Sequence, residues 1–420
     1  MKKIISTAAA LGLLAGLATT ASAVEFKISG HYTAEGIYLD KGIGHNNGGG
    51  VDLNDNNATA DAWYQHSFEI KPTMKVNDKI SMLATIRLAD NNIWGSQADN
   101  SGTMSNNNDF YVQHLFMDYS SPIGKIRVGR TPAGGYGLAF ADTDVSADRI
   151  MWWPNFLAKP WSTLFYIQKS TERDSYTTAS STDTDHYEAR LNYKDDNVDA
   201  GVRYGYTNNN SVADSEMQSV TAYGIYKMDN FFGKGEVTHN FGNKNSSTDY
   251  DTWGGMVQVG GKFGPVTPSL MYFYGSGDND GDLNDSEAFG STGTEFTPLY
   301  ILTGRNTGLL NPDQANGGGA HAAMAAAGVH GVVLAVDYAA SDRLTLRGAL
   351  GWAKADDEMS GWDDEYGWEA NVGVAYKLLD NLTYEARAGY LDTGDFFKGG
   401  DPTENTENVY ILTHSLTMTF

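Results

Sequence analysis

Residues 410–420 have the sequence YILTHSLTMTF, and this stretch decides the fold. Its even-numbered positions are all apolar or aromatic except for one histidine: Tyr410, Leu412, His414, Leu416, Met418 and Phe420. Hydroxyl side chains fill the odd positions from 413 to 419. Because side chains alternate across a β-strand, the pattern predicts a strand with one face against an apolar phase and the other against water. That phase is either a protein core or a bilayer, and the rest of the chain distinguishes the two.

The same two-faced alternation recurs along the chain, most clearly at 25–38, 198–206 and 382–390. Each such segment is about ten residues long, the length that a tilted strand needs to cross a bilayer. After Val24 no run approaches the roughly 18 apolar residues of a membrane-spanning helix. The sequence therefore predicts an all-β protein, a transmembrane antiparallel β-barrel.

Two kinds of connection separate these segments. Short polar turns, such as 77–79, 195–197 and 380–381, join strands into hairpins. Short turns at the periplasmic end and long extracellular loops at the other end are typical of transmembrane barrels. We predict long Gly-, Asn- and Asp-rich loops at 40–61, 90–109, 131–147, 172–185, 208–218, 242–251, 275–327, 355–365 and 392–407.

The amino-terminal region predicts export. Lys2 and Lys3 precede an apolar run, and Ala21, Ser22 and Ala23 supply the small residues of a cleavage site, so we expect residues 1–23 to be a signal peptide. Residues 24–420 would then form the barrel. With both of its termini in the periplasm, such a barrel has an even number of strands.

The strand count depends on the region 148–171. Dividing it into two strands, 148–154 and 161–171, gives 18 strands, the count that we prefer. Treating the whole region as loop gives 16, the alternative.

Composition and charge exclude several functions. There is no cysteine, so the chain has no disulfide, no thiolate metal site and no cysteine nucleophile. No catalytic motif is present, and we expect neither enzymatic activity nor a cofactor or metal. The net charge of −23 argues against a nucleic-acid partner. The nine loops carry 35 of the 52 acidic residues but only 5 of the 29 basic ones, which we interpret as solvation, with cation enrichment as a side effect.

One internal segment points to a family. Residues 113–119 (QHLFMDY), a turn at 122–124 and residues 125–130 (KIRVGR) form a strand pair before a long loop. Together with the final strand, this segment resembles the general trimeric porins of Gram-negative outer membranes. The resemblance covers about 109–150 and the carboxyl-terminal strand, and elsewhere it is architectural.

The resemblance implies a pore constriction. In that family the third loop, here 131–147, folds into the lumen, and its carboxylates face basic residues of the wall. It places Asp142 and Asp144 on the acidic side of the constriction, and Lys27, Arg87, Arg127 and Arg149 on the wall. These arginines have an alternative role, pairing with lumen carboxylates such as Glu69 or Glu188.

The chain departs from the family at two wall positions. Gln65 and Gln113 stand where family members commonly have arginine, so an anion preference does not carry over. We also expect them to face the lumen.

The leading hypothesis is an outer-membrane porin, a water-filled channel for passive diffusion of small hydrophilic solutes and ions. The alternative is a substrate-selective channel for sugars or peptides, and a plugged adhesin or structural barrel is a third hypothesis. The resemblance implies a homotrimer among outer-membrane lipid and lipopolysaccharide. It also implies that the barrel-assembly machinery recognises the final strand through Tyr410, Leu416, Met418 and Phe420. Whether the large loop 275–327 folds into the pore stays open.

Overall fold

Eighteen long antiparallel strands close into a barrel in the computed structural model of this chain. The structure describes residues 24–42, 53, 59–94, 110–132, 135–141, 146–171, 183–278, 284–290, 292–307, 309–310 and 318–420. The predicted signal peptide lies outside these residues. The strands are β1 Glu25–Gly42, β2 Thr59–Lys75, β3 Ile80–Ile93, β4 Tyr111–Ser121, β5 Gly124–Thr131, β6 Ala147–Pro154, β7 Trp161–Thr171, β8 Thr184–Lys194, β9 Val198–Asn209, β10 Ser215–Met228, β11 Phe231–Asn245, β12 Thr248–Gly261, β13 Val266–Gly275, β14 Val329–Ala339, β15 Leu344–Lys354, β16 Glu365–Leu379, β17 Leu382–Thr393 and β18 Val409–Thr419.

Each strand pairs with its neighbours in sequence, and β1 also pairs with β18. At this seam the Gly30 amide donates to the Phe420 carbonyl at 2.9 Å, and the Phe420 amide donates to the Gly30 carbonyl at 3.1 Å. Closure removes the unpaired edges that an open sheet would expose. The preferred count of 18 strands, with 148–154 and 161–171 in separate strands, is confirmed, and the alternative of 16 is wrong.

The outward face of the wall is apolar and exposed, as the alternation predicts. Val372 on β16 is 63% exposed and Leu412 on β18 is 52% exposed, whereas the inward Ile411 is buried. The other predicted outward positions of this final segment, Tyr410, Leu416, Met418 and Phe420, are exposed as well, and His414 is partly exposed. A surface that an isolated soluble protein would have to bury is accounted for by contact with lipid.

Short turns and long loops lie at opposite ends of the barrel, as predicted, with two exceptions. Turns of six residues or fewer join the strands at one end, which we call the short-turn end, and the long connections lie at the loop end. The predicted long loops 208–218 and 242–251 are wrong, because β9 to β12 continue into tight turns. Asn209 Oδ1 accepts from the Ser211 amide at 3.1 Å, and Asn245 Oδ1 accepts from the Ser247 amide at 2.9 Å. Asparagine-rich sequence therefore forms compact side-chain-capped turns here.

Among the residues that the structure describes, helical segments lie only in the loops. The helix α1, Gly318–Ala327, precedes β14, and a 3₁₀ turn at Asp395–Lys398 lies between β17 and β18. In the described part of the chain, no helix is both long and apolar enough to cross a membrane. A two-residue strand, Asp285–Ser286, pairs in parallel with β12 outside the barrel order.

We expect the two faces of β18 to respond differently to a charge. Leu412→Arg places a guanidinium against lipid, and it should lower the free energy of unfolding by about 2–4 kcal/mol if the position lies near mid-bilayer. Thr413→Arg, on the inward face, is the matched control and should cost less than about 1 kcal/mol. Equilibrium denaturant titration in lipid vesicles measures both values. Equal losses would mean that the outward face does not contact lipid.

Candidate functional site

The third loop lies inside the barrel and is held there by a wall carboxylate. Glu236 on β11 is buried and points inward, since its neighbour Val237 is 46% exposed on the outer face. The backbone amides of Leu138 and Ala141 both donate to the Glu236 carboxylate, the latter at 3.0 Å. Gly137, with φ +81°, lies against the same carboxylate and leaves no room for a Cβ. The predicted inward folding is thus confirmed for residues 135–141.

Residues 300–302 of the large loop before β14 also lie in the lumen, which answers for this part of the loop the question that the sequence leaves open. Glu369 on β16 is fully buried and points inward, while Trp368 beside it is half exposed outside. Its carboxylate accepts from the amides of Tyr300, Ile301 and Leu302 at 2.6, 2.8 and 2.7 Å. A wall glutamate therefore anchors this loop in the same way as the third loop.

The two inward loops pack against each other. The Gly293 amide donates to the Phe140 carbonyl at 2.7 Å. The Phe140 ring stacks on Phe289 at 5.6 Å and meets Phe296 edge-on at 5.1 Å. Phe273 of β13, at 5.2 Å from Phe296, ties this aromatic group to the wall. The loops thus form one apolar body inside the lumen, and its rings replace the water that would otherwise contact this part of the wall.

A polar network lines the wall beside the third loop, and we call it the Glu188 cluster: the buried Tyr166, Glu188 and Arg190, and the partly buried Arg203. Glu188 pairs with the Arg190 guanidinium, accepts from Tyr166 Oη at 2.8 Å and lies 3.8 Å from Arg203 Nη1. Because the buried Glu188 carboxylate binds several charged and hydroxyl donors, the network fixes the positions of the carboxylate and of these donors.

The Glu188 cluster binds the start of the third loop. Arg190 donates to the Gly135 carbonyl at 3.3 Å, and its guanidinium lies 4.9 Å from the centre of the Tyr136 ring. Tyr136 in turn meets Tyr223 of β10 edge-on at 5.2 Å. Burial raises the pKa of the Tyr136 phenol and, in the large loop, the pKa of the Tyr300 phenol, so both stay neutral.

Two of the predicted wall arginines face the lumen but are already paired. Arg87 lies 3.4 Å from Glu69 and donates to Gln113 Oε1 at 2.9 Å. Arg127 forms a two-pronged pair with Asp118, at 2.6 and 2.9 Å. Pairing with carboxylates, the alternative role, therefore holds for both, although Arg127 remains accessible, with about a fifth of its side chain exposed.

The other predicted residues have different surroundings. Arg149 is buried and donates to the Pro132 carbonyl at 2.8 Å, so it fixes the base of the third loop. Lys27 points inward near the short-turn end and pairs with Glu25 at 2.7 Å, away from the inward loops.

Gln65 faces the lumen and donates to Glu35 Oε2 at 3.0 Å. Gln113 also faces the lumen, where its Oε1 accepts from Arg87. Both residues lie near a register shift in the pairing of β3 with β4. Asp142 and Asp144 lie outside the described residues.

The residues that anchor the loops are not among the predicted site residues. The alternation already places Arg190 and Arg203 on inward rows, so periodicity alone was enough to propose them as wall residues. Glu236 and Glu369 also lie on inward rows, but their partners are backbone amides, which leave no trace in side-chain pattern. Only the fold brings residues so distant in sequence together.

Comparison with known proteins identifies the architecture. No family model and no curated protein sequence matches the chain. Among solved structures, Pseudomonas aeruginosa OccK9 (OpdG) aligns with a TM-score of 0.58 at 12% identity, covering 94% of this chain and 99% of that one. The chain has an outer-membrane porin fold.

Other porin structures agree with this assignment. Pseudomonas aeruginosa OccK3 (OpdO) aligns with a TM-score of 0.57 at 9% identity, covering 94% of this chain and 96% of that one. A BenF-like porin from Pseudomonas fluorescens Pf-5 aligns with a TM-score of 0.54 at 11% identity, with 94% and 99% covered. The expected resemblance to porins is therefore confirmed at the level of the fold, which is all that identities this low can show.

Removing one anchoring carboxylate should widen the porin lumen. Glu369→Ala leaves the amides of Tyr300, Ile301 and Leu302 without their acceptor, and a buried donor left without an acceptor costs about 1–3 kcal/mol. We expect a higher, noisier single-channel conductance in planar bilayers. Glu35→Ala is the control, because this glutamate on β1 is inward and partly exposed, and its carboxylate accepts from the Gln65 side chain instead of from loop amides. A conductance that rises equally in both variants, or in neither, would show that Glu369 does not restrain the loop.

Proposed function

We propose that this protein is an outer-membrane porin that passes small hydrophilic solutes and ions by passive diffusion. The observation that carries the proposal is the exposure of charged side chains on the inward face of the wall. Asp337 is 57% exposed, Arg347 50% and Lys71 45%, although all three point into the barrel. Charges on an inner wall stay this exposed when water reaches them, and a wet lumen inside an apolar cylinder is a conduction path.

Several further features belong to the proposal. The short-turn end faces the periplasm and the loop end faces outward, after removal of residues 1–23 as a signal peptide. The barrel assembles as a homotrimer in lipid and lipopolysaccharide, and the assembly machinery recognises the outward residues of β18 that end at Phe420. Conduction needs no catalytic residue and no cofactor, in keeping with the non-enzymatic porins that share the fold.

A second candidate, a substrate-selective channel, is favoured by the inward course of the large loop. Tyr300 of this loop lies 5.5 Å from the Arg387 guanidinium, which pairs with Glu385 at 2.8 Å. An aromatic face beside charges of both signs gives a solute more contacts than a bare wall does. A saturable block of the current by one class of solute, sugars or peptides, would favour this candidate over the general porin.

Planar-bilayer recording with a salt gradient tests the proposal. We expect discrete conductance steps, with a reversal potential that reports the charge selectivity of the lumen. Purified, folded protein that gives no steps would contradict both channel functions and support a plugged adhesin or structural barrel.

The acidic side of the constriction remains a prediction. If Asp142 and Asp144 face the pore, Asp142→Asn with Asp144→Asn removes two negative charges and shifts the reversal potential towards anions. Asp395→Asn with Asp401→Asn, in the loop before β18, removes the same charge and is the control. An unchanged reversal potential in the Asp142 and Asp144 variant would place both residues outside the constriction.

A further inference from the structure

A cavity of about 370 Å³ opens inside the barrel at the short-turn end, beneath β1 to β5. Its strand residues come from inward rows except Ile80 at the start of β3, and the turn between β2 and β3 closes one side. Neither inward loop contributes to its lining, so it is separate from the constriction. Its basic lining residues are Lys27, Lys75, Lys79 and Lys125.

Cations outnumber carboxylates around this cavity. Lys27 pairs with Glu25 at 2.7 Å, Lys75 with Asp78 at 2.7 Å, and Lys125 with Asp118 at 2.9 Å. Among the described residues, Lys79 has no carboxylate within ion-pair distance, and it is exposed to the cavity.

Arg127 adds to this excess. It binds the Asp118 carboxylate that Lys125 also uses. Five cations, the four lysines and Arg127, therefore share three carboxylates, an excess of two positive charges.

The structure holds these charges in place. Asn77 Oδ1 accepts from the amides of Lys79 and Ile80 at 2.8 and 3.0 Å, which fixes the turn that carries Lys79. The Arg127 guanidinium lies 4.0 Å from the centre of the Phe116 ring, and Lys125 lies 5.0 Å from that of Trp153. The backbone that carries Lys79 and the side chains of Arg127 and Lys125 are therefore held in place before a ligand binds, which lowers the entropic cost of binding.

We propose that this cavity binds small oxyanions that carry two negative charges, with phosphate as the simplest member. Compact ammonium groups act as point charges for oxyanions, and a dianion balances the excess of two. The field of these lysines is screened within about 8 Å at physiological salt, so it acts on a solute only in this part of the lumen. Since the loops at the other end are strongly acidic and repel anions, a dianion reaches the cavity more readily from the short-turn side.

The proposal rests on the proposed channel function, and single-channel recording at constant ionic strength tests it. Inorganic phosphate should reduce the current in a saturable way, more strongly when added at the short-turn side. Lys79→Met should weaken the apparent affinity about fivefold, the effect of losing roughly one unit-charge contact in water. Lys262→Met removes an exposed lysine from another short turn, outside the cavity, and should leave the affinity unchanged.

Two results would overturn the site: a block that does not saturate, or one that both lysine variants weaken equally. Succinate, a second dianion, should show the same dependence on Lys79. Acetate, a monoanion, should bind several-fold more weakly, and an equal block by acetate would contradict the assignment to dianions.

Titration calorimetry of phosphate with the folded protein in micelles separates this proposal from the channel function. Binding that depends on Lys79 without conductance steps would reject the channel and keep the site. Conductance steps without such binding would keep the channel and reject the site.

Discussion

A backbone amide taken out of water must find an acceptor, and this requirement shapes the whole molecule. Within the wall, every strand pairs with two neighbours, and the seam between β1 and β18 leaves no open edge. Inside the lumen, the described loop segments 135–141 and 300–302 do not pair with a strand. Glu236 and Glu369 supply the missing acceptors, so the same constraint closes the barrel and holds its contents in place.

The two sides of the lumen consequently differ in what covers the wall. Along β11 to β16, the anchored loops and their aromatic rings cover the wall. Beside them the Glu188 cluster grips the start of the third loop through buried ion pairs. Along β2 to β5 the wall keeps paired but accessible charges, such as Arg127 with Asp118. The loops therefore narrow the lumen from one side, and the charged wall on the other side faces the open part of the lumen.

The outward half of this architecture could be predicted from the sequence, and the inward half only in part. Contact with lipid requires apolar side chains at every second position of a strand. The outward row that includes Leu412 therefore indicates a barrel strand, and the number of such segments indicates the strand count. Asn209 and Asn245 misled the prediction, because asparagine suits both long loops and tight turns. Glu369 gave no signal for its role, since its partners are backbone amides almost 70 positions away. Side-chain periodicity carries no information about contacts of that kind.

Hydrogen exchange of the folded protein, followed by mass spectrometry, most directly tests whether buried carboxylates hold the two loops in the lumen. We expect slow exchange at Leu138, Ala141 and 300–302 in the native protein. We also expect fast exchange at 300–302 alone in Glu369→Gln, and at the third loop alone in Glu236→Gln. Exchange in the native protein at the rate of an unstructured loop would contradict the account.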